Sequence, residues 1–149
     1  NFVAWGSNLR LKSAARDVIS NLQKSRLESV KRNSNLVVIS FSPGAYDPVG
    51  EVGSYNVFID DGAGGGVAGD FTQNGSESTL LQEAMPTSVS LYQTSFAVQT
   101  NQTNFNTRGV PSEAGTIDLR NNNSKFYRVV LMAAGNVRLL SSIDGITWN

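Results

Sequence analysis

At 149 residues the chain fits one domain, long enough to bury roughly two thirds of its unfolded surface without a covalent staple. It holds no cysteine and no histidine, which excludes disulfides, thiolate metal sites, most zinc or copper sites and the usual partner of a nucleophilic serine. The formal net charge of zero hides an asymmetry: seven of the twelve Lys/Arg and only two acids fall in residues 1–33, so a basic segment precedes an acidic body.

The chain opens on Phe2, Val3 and Trp5, and a Trp beside basic residues suits a membrane-water boundary. No apolar run approaches the ~20 residues that cross a bilayer. Gly6 and Ser7-Asn8 interrupt this opening, and a Ser or Asn there is a suitable N-cap. From Leu9 to Asn33 the spacing predicts one long amphipathic helix. Leu11, Ala15, Val18, Leu22, Ser25 and Ser29 recur at steps of three and four and form its packing stripe. Ile19, Leu27 and Val30 are expected to widen that stripe. The opposite side carries Arg10, Lys12, Arg16, Lys24, Arg26, Lys31 and Arg32 against Asp17 and Glu28. Such a row suits acidic lipid, nucleic acid or an acidic neighbouring subunit, the alternative being a solvated face.

After Asn33 the period changes. Leu36–Phe41 is a β-branched apolar run, expected to be a strand covered on both faces. Tyr55–Asp60 alternates and runs into a glycine-dense loop over residues 60–70. Ser78–Gln82, Val89–Tyr92 and Ser95–Gln99 are shorter strand candidates, and the polar Thr100–Asn104 reads as loop. Thr116–Arg120, Lys125–Met132 and Val137–Leu140 read as an antiparallel meander with Asn- and Gly-rich turns. The expected fold is α+β: a helix (1–33) packed on a β-rich body (34–149) of about seven mostly antiparallel strands, together one domain.

Chemistry is sparse. The acid-and-glycine loop invites a calcium reading, but glycines stand where an EF-hand needs ligands and Phe71 falls where its closing Glu belongs. A phosphate-binding loop would end in Gly-Lys-Ser/Thr, which is absent. Asp60 with Asp70, or Glu77 with Glu83, are pairs any acid-bearing chain offers. No catalytic residue, metal site, cofactor or small-molecule substrate is expected. Lys125, Arg128 and Arg138, interleaved with Phe126 and Tyr127, are the candidates for a DNA-binding surface, against which the net acidic body counts.

Three stretches resemble one family. LKSAARDVISNLQKSRLESVKRN (11–33), FNTRGVPSEAGTIDL (105–119) and FYRVVLMAAGNVRLL (126–140) are similar in order and spacing to the GspH/FimT minor pilins and pseudopilins of type IV pili and type II secretion. Phe105, Gly109 and Pro111 match its Phe-x-x-x-Gly-x-Pro, Gly115 opens its Gly-Thr-Ile strand, and Gly135 precedes its last strand. The resemblance implies a cleaved leader, N-terminal methylation and an apolar helix anchoring the precursor in the inner membrane. By that comparison Asn1–Trp5 is the trailing edge of the anchor and the chain a truncated, soluble form. It also implies a globular domain in the periplasm, other pilin or pseudopilin subunits as partners, and assembly into a pilus or pseudopilus rather than catalysis. Arg16, Lys24, Arg26, Lys31 and Arg32 become the subunit-interface candidates, and reversal of charge at Lys24 and Arg26 is expected to impair incorporation. DNA-uptake members carry Gly-Arg-x-Arg in the last hairpin. Here the stretch is Gly135-Asn136-Val137-Arg138, one arginine short. The competing reading is a β-rich module that captures DNA or glycan through its loops. Without the cysteines of some members, the tail 141–149 is expected to pack through Ile143, Ile146 and Trp148.

Overall fold

The computed structural model describes residues 2–149. Helix α1 (Phe2–Arg32) precedes β1 (Val37–Ser42), β2 (Ser54–Ile59), β3 (Thr79–Ala84), β4 (Val89–Phe96), β5 (Gln102–Phe105), β6 (Gly115–Asn121), β7 (Phe126–Leu131) and β8 (Val137–Ser142). The strands form two antiparallel sheets, β3-β2-β1-β5 and β4-β6-β7-β8. The fold is therefore α+β.

One helix serves both sheets. At 31 residues, α1 is about 46 Å long, enough to cross β1 and β5 of one sheet and β4, β6 and β7 of the other. Leu11, Ala14, Ala15, Val18 and Leu22 share one buried cluster with Ile39 and Phe41 of the first sheet and Leu91, Ile117, Leu119, Val129 and Leu131 of the second. Small residues follow along the same stripe. Ser25 and Ser29 are buried and turn their hydroxyls back onto the carbonyls of Asn21 and Arg26, each at 2.7 Å. A hydroxyl satisfied by its own helix needs no room opposite, so the backbone can approach the sheet closely.

Both ends of α1 refine the expectation. The helix does not start at Leu9 but continues upstream through Gly6, Ser7 and Asn8. A glycine inside a helix costs about 1 kcal/mol. Here Ser7 Oγ donates to Asn122 Oδ1 at 2.7 Å, and Asn8 Oδ1 accepts from Asn121 Nδ2 at 2.8 Å. These polar side chains therefore dock the helix on the β6–β7 turn instead of capping it. At the other end Asn33 takes φ 50°, and its N–H reaches Val30 O at 3.1 Å while Ser34 N–H reaches Ser29 O at 3.0 Å. Those two bonds close the helix as a Schellman motif.

The strand count exceeds expectation because Gln102–Phe105, inside the stretch read as loop, pairs with β1. Its alternation is real but written in polar letters. Thr103 and Phe105 are buried, and Thr103 Oγ1 is satisfied by Glu113 O at 3.2 Å. The two candidates over 89–99 are one strand with a register shift between Leu91 and Gln93, a bulge at Tyr92 that hides the period. The tail also differs. Ile143 and Ile146 are exposed, and only Trp148 packs, with the Arg128 guanidinium 4.3 Å from its ring centre. Polar bonds hold the tail instead: Asn149 and Ser141 exchange backbone hydrogen bonds, and Asp144 Oδ1 accepts from Ile146 N and Thr147 N, each at 2.8 Å. Those donors keep the Asp144 carboxyl well below its usual range.

A buried polar link ties α1 to β2. Asn21 Nδ2 donates to the Tyr55 hydroxyl at 2.7 Å. Burial pushes that phenol up to about 12, against the opposing pull of the Asn21 bond. Because the folded state holds the proton more tightly than the unfolded chain, stability is complete below pH ~10 and falls as pH climbs from there towards 12. Tyrosinate absorbance should show Tyr55 ionising last and together with unfolding. Its titration near pH 10 in the folded protein would contradict this packing.

Candidate functional site

With one face of α1 sealed against two sheets, its other face is left to solvent. Leu9 and Leu27 stand on it, 52% and 64% exposed. Leu27 does not widen the packing stripe, because nine residues beyond Val18 a helix has turned about two and a half times and points away. Val30 is also exposed, whereas Ile19 leans on the core. The outer surface is thus basic and apolar together.

The five basic candidates divide into three environments. Arg16 and Lys24 are exposed and make no ion pair among the described residues. Lys31 and Arg32 both turn to Glu28, at 4.0 and 2.8 Å, one turn back along the helix. Arg26 is half-buried and lies across two loops. A Cβ at Gly109 would fall 2.8 Å from Arg26 Cγ, and one at Gly135 would fall 3.3 Å from Arg26 Cζ and 3.0 Å from Gly109 O. Arg10 is likewise engaged, its guanidinium donating to Thr87 O at 3.1 Å and Ser88 Oγ at 3.3 Å.

Arg26 thus joins motif positions that are distant in sequence. Phe105 is buried and bridges Pro111, so the chain doubles back in a tight turn. Asn106 Oδ1 holds that turn by accepting from Arg108 N and Val110 N, each at 2.9 Å. Gly109 at φ 77° and Gly135 at φ 95° adopt left-handed backbone that other residues enter at a cost. The two turns meet under the C-terminal part of α1. Gly115 serves a different contact, since a side chain there would run into the Phe96 ring.

A shallow groove of about 320 Å³ runs between α1 and the first sheet, with Lys24, Leu27 and Arg32 on the helix side and Val57, Leu80 and Leu81 on the other. Its floor is apolar, and its helix side also carries Glu28, the partner of Arg32, so the rim is of mixed charge. β3 is the edge strand beside it.

The DNA candidates do not converge. Arg128 is held by Asp118 in a two-pronged pair at 2.7 and 2.8 Å, which raises its already high pKa and neutralises its charge. Lys125 lies at one end of the β7–β8 hairpin and Arg138 at the other. Sequence reasoning missed the neighbouring stack in which the Arg120 guanidinium lies 3.6 Å from the Tyr46 ring centre and 4.7 Å from that of Phe126. Tyr46 sits in a connection far from both, and nothing in spacing announces the contact.

Among the described residues no helix is long and apolar enough to cross a membrane. Comparison with curated proteins returns no match, and comparison with solved structures returns none. The family model described as type II transport protein GspH matches residues 14–135, from the packing stripe of α1 to the glycine turn before β8. That match covers most of the chain, and the protein therefore belongs to the GspH family of pseudopilins.

Proposed function

We propose that the protein is a structural subunit of a type II secretion pseudopilus or type IV pilus, built into the filament through the outer face of α1. GspH-family pseudopilins are structural, non-enzymatic proteins. The supporting observation is the division of α1 into two faces. One is consumed by two sheets, and the other offers Leu9 and Leu27 beside Arg16 and Lys24, which make no ion pair among the described residues. Exposed leucines flanked by cations fit a helix-to-helix contact with neighbouring subunits, whose acidic bodies would answer the basic row. The exposed Phe2, Val3 and Trp5 on the first turns of α1 support placing that end of the helix next to the inner membrane, with the globular part in the periplasm. The pairing of Arg128 with Asp118 leaves the DNA reading without support.

The absence of native cysteine makes the contact directly testable. Leu27→Cys, oxidised in cells that express the secretion system, should give disulfide-linked species containing neighbouring subunits. A cysteine at the exposed Val98, in the turn between β4 and β5, should not. Equal cross-linking at both positions, or none at Leu27→Cys, would remove the helix face from the assembly.

A further inference from the structure

An open strand edge invites another strand, and this fold closes most of its own. The outer edge of β4 is covered by the connection before β2, where Val52 bridges Ser90 and Gly44 N–H reaches Leu91 O at 3.1 Å. That of β5 is covered by the turn that follows it, through the Phe105–Pro111 bridge and Ser112 N–H to Asn104 O at 2.8 Å. On β8, Ser141 exchanges two backbone hydrogen bonds with Asn149. Among the described residues this leaves two bare lengths of edge, residues 81–84 of β3 and 137–140 of β8. Neither strand holds a proline, and each carries one charge, Glu83 and Arg138. Both side chains are exposed, and neither makes an ion pair among the described residues.

The registers fix which backbone groups point outward. In an antiparallel pair, residues alternate between exchanging hydrogen bonds with their partner and turning their N–H and C=O the other way. Met85 N–H bonds Gly53 O at 3.1 Å. The backbone groups of Leu81 and Glu83 therefore face β2, and those of Gln82 and Ala84 turn outward. Met132 N–H bonds Asn136 O at 2.8 Å, so Val137, Leu139 and Ser141 turn outward from β8, as the Ser141–Asn149 exchange requires. An antiparallel match of the two bare edges must set outward residues opposite each other. Gln82 opposite Leu139 and Ala84 opposite Val137 does so, and the same register sets Glu83 opposite Arg138 and Leu81 opposite Leu140. Acid then meets base and leucine meets leucine on one face. Pairing β3 with β3, or β8 with β8, leaves each charge facing itself or an uncharged residue.

We propose that a second copy of this chain adds its β8 edge to β3, antiparallel, with Arg138 of one copy opposite Glu83 of the other. The sheet that contains β3 has no Lys or Arg between Asn33 and Thr107, so no base of its own answers Glu83. The two edges belong to different sheets, which makes the contact heterologous: each copy offers β3 to one neighbour and β8 to another, and a row of copies forms rather than a two-fold dimer. The paired lengths are short, so the contact is weak in isolation and suits a repeated assembly. It uses no residue of the outer face of α1 and stands or falls apart from that contact.

The purified protein suffices for the test, because the chain has no cysteine of its own. In this register Leu81 and Leu140 form a pair that exchanges no backbone hydrogen bond, with Cα atoms about 4.5 Å apart and within disulfide reach. Leu81→Cys mixed with Leu140→Cys and oxidised at high protein concentration should give a cross-linked dimer, and neither variant alone should. Adding Glu83→Arg to the first should abolish the product, and adding Arg138→Glu to the second should then restore it. If either leucine variant melts below the wild type, Glu83→Cys with Arg138→Cys, exposed and opposite in the same register, takes its place and should cross-link likewise. No dimer in either mixture would overturn the proposal. So would a dimer from one variant alone, which would mean two-fold pairing. A yield matched by the exposed Val98→Cys with Arg138→Cys would overturn it too, as random collision.

Discussion

Leu22→Ala should cost about 3 kcal/mol of stability and lower the melting temperature by roughly 10 °C. Leu22 is almost wholly buried and belongs to the cluster that α1 shares with both sheets. Its removal leaves a cavity that neighbours on either side can fill only by moving a sheet, so little of it collapses. Leu27→Ala is the matched control: the same residue type on the same helix, five positions on and facing solvent, where substitutions stay within about 0.5 kcal/mol. Chemical denaturation of the two variants checks the pair. Similar losses in both would mean that the faces of α1 are assigned wrongly.

Gly50→Ala should be nearly as damaging, with a loss of about 3 kcal/mol, although it adds a single methyl group. Gly50 lies in the connection that stitches the two sheets, forming a bridge with Thr87 while Ser88 N–H reaches Val49 O at 2.7 Å. Its φ of 85° strains any residue with a Cβ. The added Cβ would also press on the backbone nitrogens of Ser88 and Val89, which cannot rotate away as a side chain would. Gly65→Ala isolates the first cause, because its φ of 93° comes with open space around the new atom. A loss near 1 kcal/mol is expected there. Equal losses at both glycines would deny the close approach between the sheets.

These two residues mark where sequence speaks clearly and where it does not. The run 36–41 announced a central strand because both its faces are covered, and β1 lies between β2 and β5. The stripe from Leu11 to Ser29 was legible because helical period and burial coincide. Leu27 was misplaced because hydrophobicity was read in place of angle. β5 was missed because its buried positions are a Thr satisfied by Glu113 and a Phe at the strand's end, so no apolar alternation exists to see. Gly6 to Asn8 look like a helix start, yet the Ser7 and Asn8 side chains are committed to Asn122 and Asn121, more than a hundred residues away.

The candidate site shows the same limit. The family motif placed Gly109 and Gly135 in turns, but only the fold brings those turns together beneath Arg26. That contact changes what Arg26 can be used to test. Reversing its charge would disturb two left-handed turns as well as any neighbour, whereas Arg16 and Lys24 lie free of such contacts.

The central claim is that the outer face of α1 joins this subunit to its filament, and the most direct measurement is incorporation of an Arg16→Glu, Lys24→Glu double variant. In cells expressing the protein, the filament fraction should lose the variant by about tenfold or more, equivalent to at least ~1.4 kcal/mol of contact energy, while the purified variant melts as the wild type does. Wild-type incorporation of a normally folded double variant would contradict the claim.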